Sequence, residues 1–217
     1  MGFQNFEKMM ANYSASYVIP LVQKSRGTKV NPKDHEVFRS IFYGFTEISS
    51  TIETLKLVGT LIKTSPPRSK KINADEYIKF LVGGYLQEVY ILEQRLSAYA
   101  KKISRLYKSS IPKPVIEKIV YNPIKTILDF RGDHVHTERY SDKHLDMVST
   151  MALFKRVGDE LGCHLGLFYK AAQKEWVEMI AEFSLTINSI LENYFDLLER
   201  IVAPDGILVP PVTVNKI

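Results

Sequence analysis

From Asn73 to Ser109 the chain reads NADEYIKFLVGGYLQEVYILEQRLSAYAKKISRLYKS, and the order of apolar residues in it decides the fold. Ile78, Val82, Tyr85, Val89, Leu92, Leu96, Tyr99, Ile103 and Leu106 follow one another at steps of four and three. That spacing sets them on one face of an α-helix and fits no strand, whose period is two. Asn73 with Glu76 three residues on forms a capping box, so the helix starts there. Gly83-Gly84 inside it costs roughly 2 kcal/mol against alanine, which predicts a close approach by another helix.

The same period recurs on both sides. Val37, Ile41, Phe45, Ile48, Ile52, Leu55, Gly59 and Ile62 define a helix over 34–63, about 45 Å long, with Asn31-Pro32 at its start and Ser65-Pro66-Pro67 at its end. Trp176, Ile180, Phe183, Ile187, Ile190, Tyr194, Leu197 and Ile201 define another over 167–201. Two shorter helices are expected between them. One runs from Pro114 to Phe130 with a kink at Pro123, and one is capped by Ser141-Asp142 and reaches about Leu161. Residues 1–30 are weakly patterned, with a short helix over Phe3–Tyr13, and the tail over 203–217 reads as extended. No segment alternates like a strand. Long apolar stripes must be buried against one another, which predicts an all-α fold, an antiparallel bundle of long helices in one domain over 1–217. Three such stripes also offer surface for a second copy, so a homodimer is expected.

Composition narrows the function classes. Hydrophobic residues make up 45% and charged residues 24% of 217, a globular balance. The start lacks the basic and apolar runs of a secretion signal, Phe6 stands where a myristoylation motif needs Ser or Thr, and no stretch is long and apolar enough to span a membrane. A soluble, cytoplasmic protein with no membrane partner follows. The single cysteine, Cys163, excludes an internal disulfide and reads as a small core residue. The net charge of +5 is unevenly spread. Arg95, Lys101, Lys102, Arg105, Lys108, Lys113 and Lys118 face one acid, Glu117, whereas Lys174–Arg200 is mostly acidic. The basic cluster reads either as the solvated end of a helix or as a phosphate-attracting patch for nucleic acid.

The densest polar chemistry lies between the third and fourth helices, in Asp129-Phe130-Arg131-Gly132-Asp133-His134-Val135-His136-Thr137-Glu138-Arg139-Tyr140-Ser141-Asp142. Three readings of it stay open. Arg131 and His136 can form a phosphodiester-cleaving pair, since arginine matches a phosphate and histidine moves a proton near neutral pH. RNA carries its own nucleophile in the 2′-hydroxyl, so positioning, one proton carrier and charge stabilisation suffice without metal. Alternatively His134, His136 and His144, with Asp133 or Glu138, bind a transition metal. Or the segment is a polar hinge whose charges cap helix ends. The ligand count and spacing favour no bound metal, and no cofactor is expected.

An arginine followed at this spacing by a histidine, at a helix boundary in an all-helical chain, resembles the HEPN superfamily. Arg131, then Gly132-Asp133-His134-Val135, then His136 carries the likeness, and His136-Thr137-Glu138-Arg139-Tyr140-Ser141-Asp142 looks like the run that follows the motif in some bacterial members. Gly132 stands where the family commonly has asparagine or another polar residue. The resemblance implies a metal-independent endoribonuclease, or a degenerate RNA- or nucleotide-binding relative, working as a homodimer. Many such proteins are toxins, paired with an antitoxin, or act in phage defence. Carried over, Arg131 would hold the scissile phosphate and His136 would act as general acid or base. Asp133 and His134 would be auxiliary polar residues, and Arg139 and Tyr140 would steady the loop or touch RNA. The alternative from another class is a non-catalytic helical dimerisation or adaptor protein.

Overall fold

The apolar steps that define the long helices turn inward in the computed structural model, which describes residues 2–27, 39–64, 66, 69, 71–125, 127–129, 142–209 and 211. Ile78, Val82, Val89, Leu92, Leu96 and Ile103 are each 0% exposed. Burying a side chain of that size stabilises the fold by about 1.5–3 kcal/mol, so this one stripe outweighs the local cost of its two glycines. The chain is all-α, with no strand among the described residues.

In chain order the elements are α1 (Gly2–Ser25), a π-helical turn (Arg39–Tyr43) leading into α2 (Gly44–Lys63), α3 (Ala74–Leu106), α4 (Lys113–Ile116) followed by a second π turn (Glu117–Tyr121), α5 (Lys143–Val157), a 3-10 turn (Glu160–His164) and α6 (Leu165–Val202). They fall into two compact units. One comprises Met1–Ser50, Glu93–Pro123 and Ile187–Ile217, and the other Thr51–Leu92 and Ile124–Thr186.

In the first unit α1 is longer than the expected Phe3–Tyr13 helix and runs through Pro20. Proline removes a single backbone bond there, and Phe6, Met10 and Tyr17, at steps of four and seven, still anchor the helix in the core. Phe6 meets Phe195 and Phe45 at centroid distances of 4.7 and 5.6 Å, and Phe45 meets Phe195 edge-on at 5.8 Å. Such tilted contacts suit the ring quadrupoles. Two buried tyrosines tie helices together through backbone carbonyls: Tyr99 donates to Ile41 at 3.0 Å and Tyr194 to Leu96 at 2.7 Å. Gly44 permits the first of these, because a Cβ there would lie 2.5 Å from the Tyr99 ring. The tail is not extended where it is described. Gly206 takes a left-handed φ of +75°, Val209 N–H donates back to Val202, and Leu208 is buried.

The third expected helix is distorted rather than simply kinked. Asn122 donates its N–H to Glu117, five residues back, in the π turn just before Pro123. Proline has no N–H to give and its ring would press on the carbonyl four residues earlier, and a widened turn relieves both conflicts.

In the second unit Gln173 on α6 donates to the carbonyls of Ile62 at 2.7 Å and of Thr64, which satisfies the open end of α2. Gly59 is where α2 and α6 come near, since a Cβ on it would lie 3.3 Å from Ile180. Gly84, by contrast, has nothing within 4 Å of such a Cβ, so helix approach is not its role. α5 stops at Val157 rather than near Leu161, because Gly158 adopts φ +78° and closes the helix with bonds to Lys155 and Phe154. Past that stop Cys163 lies exposed on the 3-10 turn, not in the core.

Candidate functional site

Arg131, Asp133, His134, His136, Arg139 and Tyr140 lie outside the described residues, as do Glu138 and Ser141. What is described is the point where that segment enters α5. Asp142 is the N-cap: its Oδ1 accepts the N–H of His144 at 2.8 Å and of Leu145 at 2.9 Å. Its Oδ2 accepts the indole N–H of Trp176 at 2.8 Å, and Trp176 is 0% exposed. One carboxylate therefore caps α5 and satisfies a fully buried donor on α6. Within the first turn, His144 Nδ1 contacts the carboxylate of Glu175, and Lys79 lies 3.9 Å from Asp146. A histidine considered for metal binding thus has a carboxylate neighbour on α6. Among the described residues no three His, Cys, Asp or Glu side chains stand close enough together to hold an ion.

The basic cluster of the sequence has a shape. In the first unit it borders a cleft of roughly 550 Å³. One wall is the face of α3 that carries Glu93, Ser97, Lys101, Ser104 and Arg105 at steps of four, three and one; the other is Ile111, Lys113, Ile116, Glu117 and Tyr121. Ser104 holds the walls together. Its hydroxyl donates to Ser109 at 2.6 Å and accepts the N–H of Ile111 at 3.0 Å, while Lys108 takes the left-handed φ of +50° that turns the chain. Lys101 and Arg105 are exposed, and neither has a carboxylate partner among the described residues. Lys113 is paired with Glu117 at 3.4 Å.

Glu93 is the unusual member of this cleft. It is 7% exposed, and its two hydrogen-bond donors among the described residues are neutral: Ser97 donates to it at 3.1 Å, and Gln94 donates its amide. A carboxylate so enclosed normally takes a cation or several donors. The signal for it was present in the sequence, as an acid beside the Leu92–Leu96 stripe followed by serine four residues on.

No family of known proteins, no characterised protein and no solved structure matches the chain.

Proposed function

We propose that the chain is a HEPN-like RNA-binding protein of the cytoplasm that cleaves RNA without metal, acts as a homodimer, and belongs to a toxin or phage-defence setting. The observation that carries the reading is the Arg131-x4-His136 motif, which is followed six residues on in the sequence by a helix start held by Asp142 and Trp176. A proton carrier and a phosphate-binding arginine work only if their spacing is held, and a fixed helix start a few residues on in the sequence favours that. Arg131 would stabilise charge on the phosphoryl oxygens while His136 moves the proton of the 2′-hydroxyl. The basic cleft bordered by Lys101 and Arg105 supports the same ligand class, because unpaired cations draw in a phosphate backbone.

The adaptor reading has an observation of its own. Phe80 and Leu185, in the second unit, are 74% and 72% exposed and are apolar enough to seat a partner. Incubating labelled RNA with the purified chain, with and without chelator, separates the two. Chelator-resistant cleavage supports the nuclease; intact RNA with no binding leaves the adaptor.

A further inference from the structure

We propose that the cleft between α3 and the Ile111–Tyr121 wall binds one guanine nucleotide, with Glu93 reading the base and Lys101 and Arg105 holding the phosphate. The proposal rests on the RNA reading and deepens it by naming which nucleotide the chain prefers.

The argument starts from the polarity of the cleft. Along α3 it carries an enclosed carboxylate, Glu93, and further on two exposed cations without carboxylate partners among the described residues. Glu93 and Lys101 are eight residues apart on one helix, so about 12 Å separates them along the axis. A fitting ligand must donate hydrogen bonds at one end and carry negative charge at the other, over about that distance. Its middle must be flat and largely apolar, because the opposite wall offers Ile111, Ile116 and the 43% exposed Tyr121 beside the Lys113–Glu117 ion pair. A nucleotide meets all three conditions, and a cleft of roughly 550 Å³ is the right size for one.

Base identity follows from donor arithmetic. Ser97 and Gln94 each occupy one carboxylate oxygen of Glu93, and each oxygen keeps a second lone pair. Guanine presents two adjacent donors, N1–H and N2–H, on its pairing edge, and these match a carboxylate two to two. Adenine and cytosine place an acceptor beside their single amino group, which would face a lone pair of Glu93. Uracil flanks its one donor with two acceptors. A site built to receive two hydrogens discriminates strongly, because an unmatched partner leaves a buried charge unpaired. Tyr121 adds a stacking face that tolerates any base, so the selection falls to Glu93. The guanine can come from a free nucleotide or from single-stranded RNA.

The test is calorimetric titration of the full chain with GMP, AMP, CMP and guanosine, and with a short single-stranded RNA containing one guanine or none. GMP should bind at least about tenfold tighter than AMP or CMP, with guanosine weaker than GMP and less sensitive to salt. Glu93→Gln keeps the shape but turns one acceptor into a donor, and it should erase the preference for guanine. The exposed pair Lys101→Ala and Arg105→Ala should weaken GMP but leave guanosine unchanged, with helicity intact by circular dichroism. Guanine-dependent binding of the RNA alone assigns the ligand to single-stranded RNA; binding of GMP by itself assigns it to the free nucleotide. Equal affinity for GMP and AMP, wild-type affinity in Glu93→Gln, or no binding of GMP or guanine-containing RNA at millimolar concentration overturns the proposal. Cleavage reads Arg131 and His136 whereas this titration reads Glu93, so either idea can fail while the other stands.

Discussion

Trp176 and Asp142, thirty-four residues apart, share a 2.8 Å hydrogen bond in which the buried indole donates to the carboxylate that caps α5. Each depends on the other. Without Asp142 the indole N–H loses this hydrogen bond, and the first turn of α5 loses the acceptor for two of its backbone donors.

Asp142→Ala should therefore cost about 2–4 kcal/mol, adding a lost cap to the loss of the buried indole's bond. Asp142→Asn, which keeps acceptor oxygen but no charge, should cost less. Urea denaturation followed by the fluorescence of Trp176, the one tryptophan of the chain, measures both. A loss below about 0.5 kcal/mol in Asp142→Ala would mean that the bond is not stabilising.

Cys163 gives a sharper reading of the surface. It is exposed on the turn after Gly158. One equivalent of thiol should react with an aromatic disulfide reagent in the native protein, at a rate near that of a free thiol. Reaction only after addition of denaturant would place Cys163 in the core.

Much of the fold was legible because it depends on period alone. The stripes of α2, α3 and α6 need only apolar residues at steps of three and four, and Ile48, Val82, Leu96 and Ile190 are buried where that period puts them. What was not legible depends on single residues acting through geometry. Gly158 ends α5 because its φ is positive, which the surrounding pattern does not announce. The first helix was expected to end at Tyr13, yet α1 runs on through Pro20 because Phe6, Met10 and Tyr17 hold the helix in place. Gly83-Gly84 read as a packing site, yet Gly84 has open space, while Gly44 and Gly59 are among the glycines that sit close to a neighbouring side chain. For the candidate site, the importance of Asp142 as a cap was readable, but its bond to Trp176 joins distant helices and leaves no local trace. Cleft residue Glu93 was passed over because one acid on a long helix is ordinarily solvated.

The buried tyrosines predict how stability falls in base. Burial pushes Tyr169 up to about 12, with Tyr77 adding to the effect. Burial also pushes up Tyr99, helped by Tyr107, and Tyr194, helped by Tyr99. A folded-state value above the ordinary 10 means that the neutral phenol is favoured in the fold. That contribution is fully present below about pH 10 and is lost as pH rises through the folded values. Melting temperature should be flat from pH 7 to about 10 and drop steeply beyond, with part of the tyrosinate absorbance appearing only on unfolding. Complete tyrosine titration near pH 10 in folded protein would contradict this.

Assembly is testable through the same exposed residues that favour docking. A homodimer should appear in light scattering at about twice the 24.9 kDa chain mass. The stripes of the long helices are covered within one chain, so the residues left to form an interface include Phe80 and Leu185. Phe80→Glu should then shift the protein to monomer without loss of helicity. A wild-type monomer at micromolar concentration would remove the dimer.

The chemistry of the Arg131 segment carries the heaviest prediction. If Arg131 stabilises the charged transition state of phosphodiester cleavage and His136 transfers the proton, Arg131→Ala and His136→Ala should each slow RNA cleavage at least about a hundredfold. Both belong to a polar stretch of sequence, so melting temperature should change little, in contrast to Asp142→Ala. Cleavage should survive chelator and leave 2′,3′-cyclic phosphate ends, because the attacking group is the substrate's own hydroxyl. His134→Ala serves as the internal control and should cost less if His136 is the proton carrier. Equal and large losses from both histidines would point to a histidine pair or a metal. Gly132 in place of a polar residue removes one group that could orient the phosphate, and Gly132→Asn should raise the rate if the site is short of such a contact. Wild-type protein that binds RNA with a steep salt dependence but leaves it intact would end the catalytic claim and retain the chain as a nucleotide-binding module.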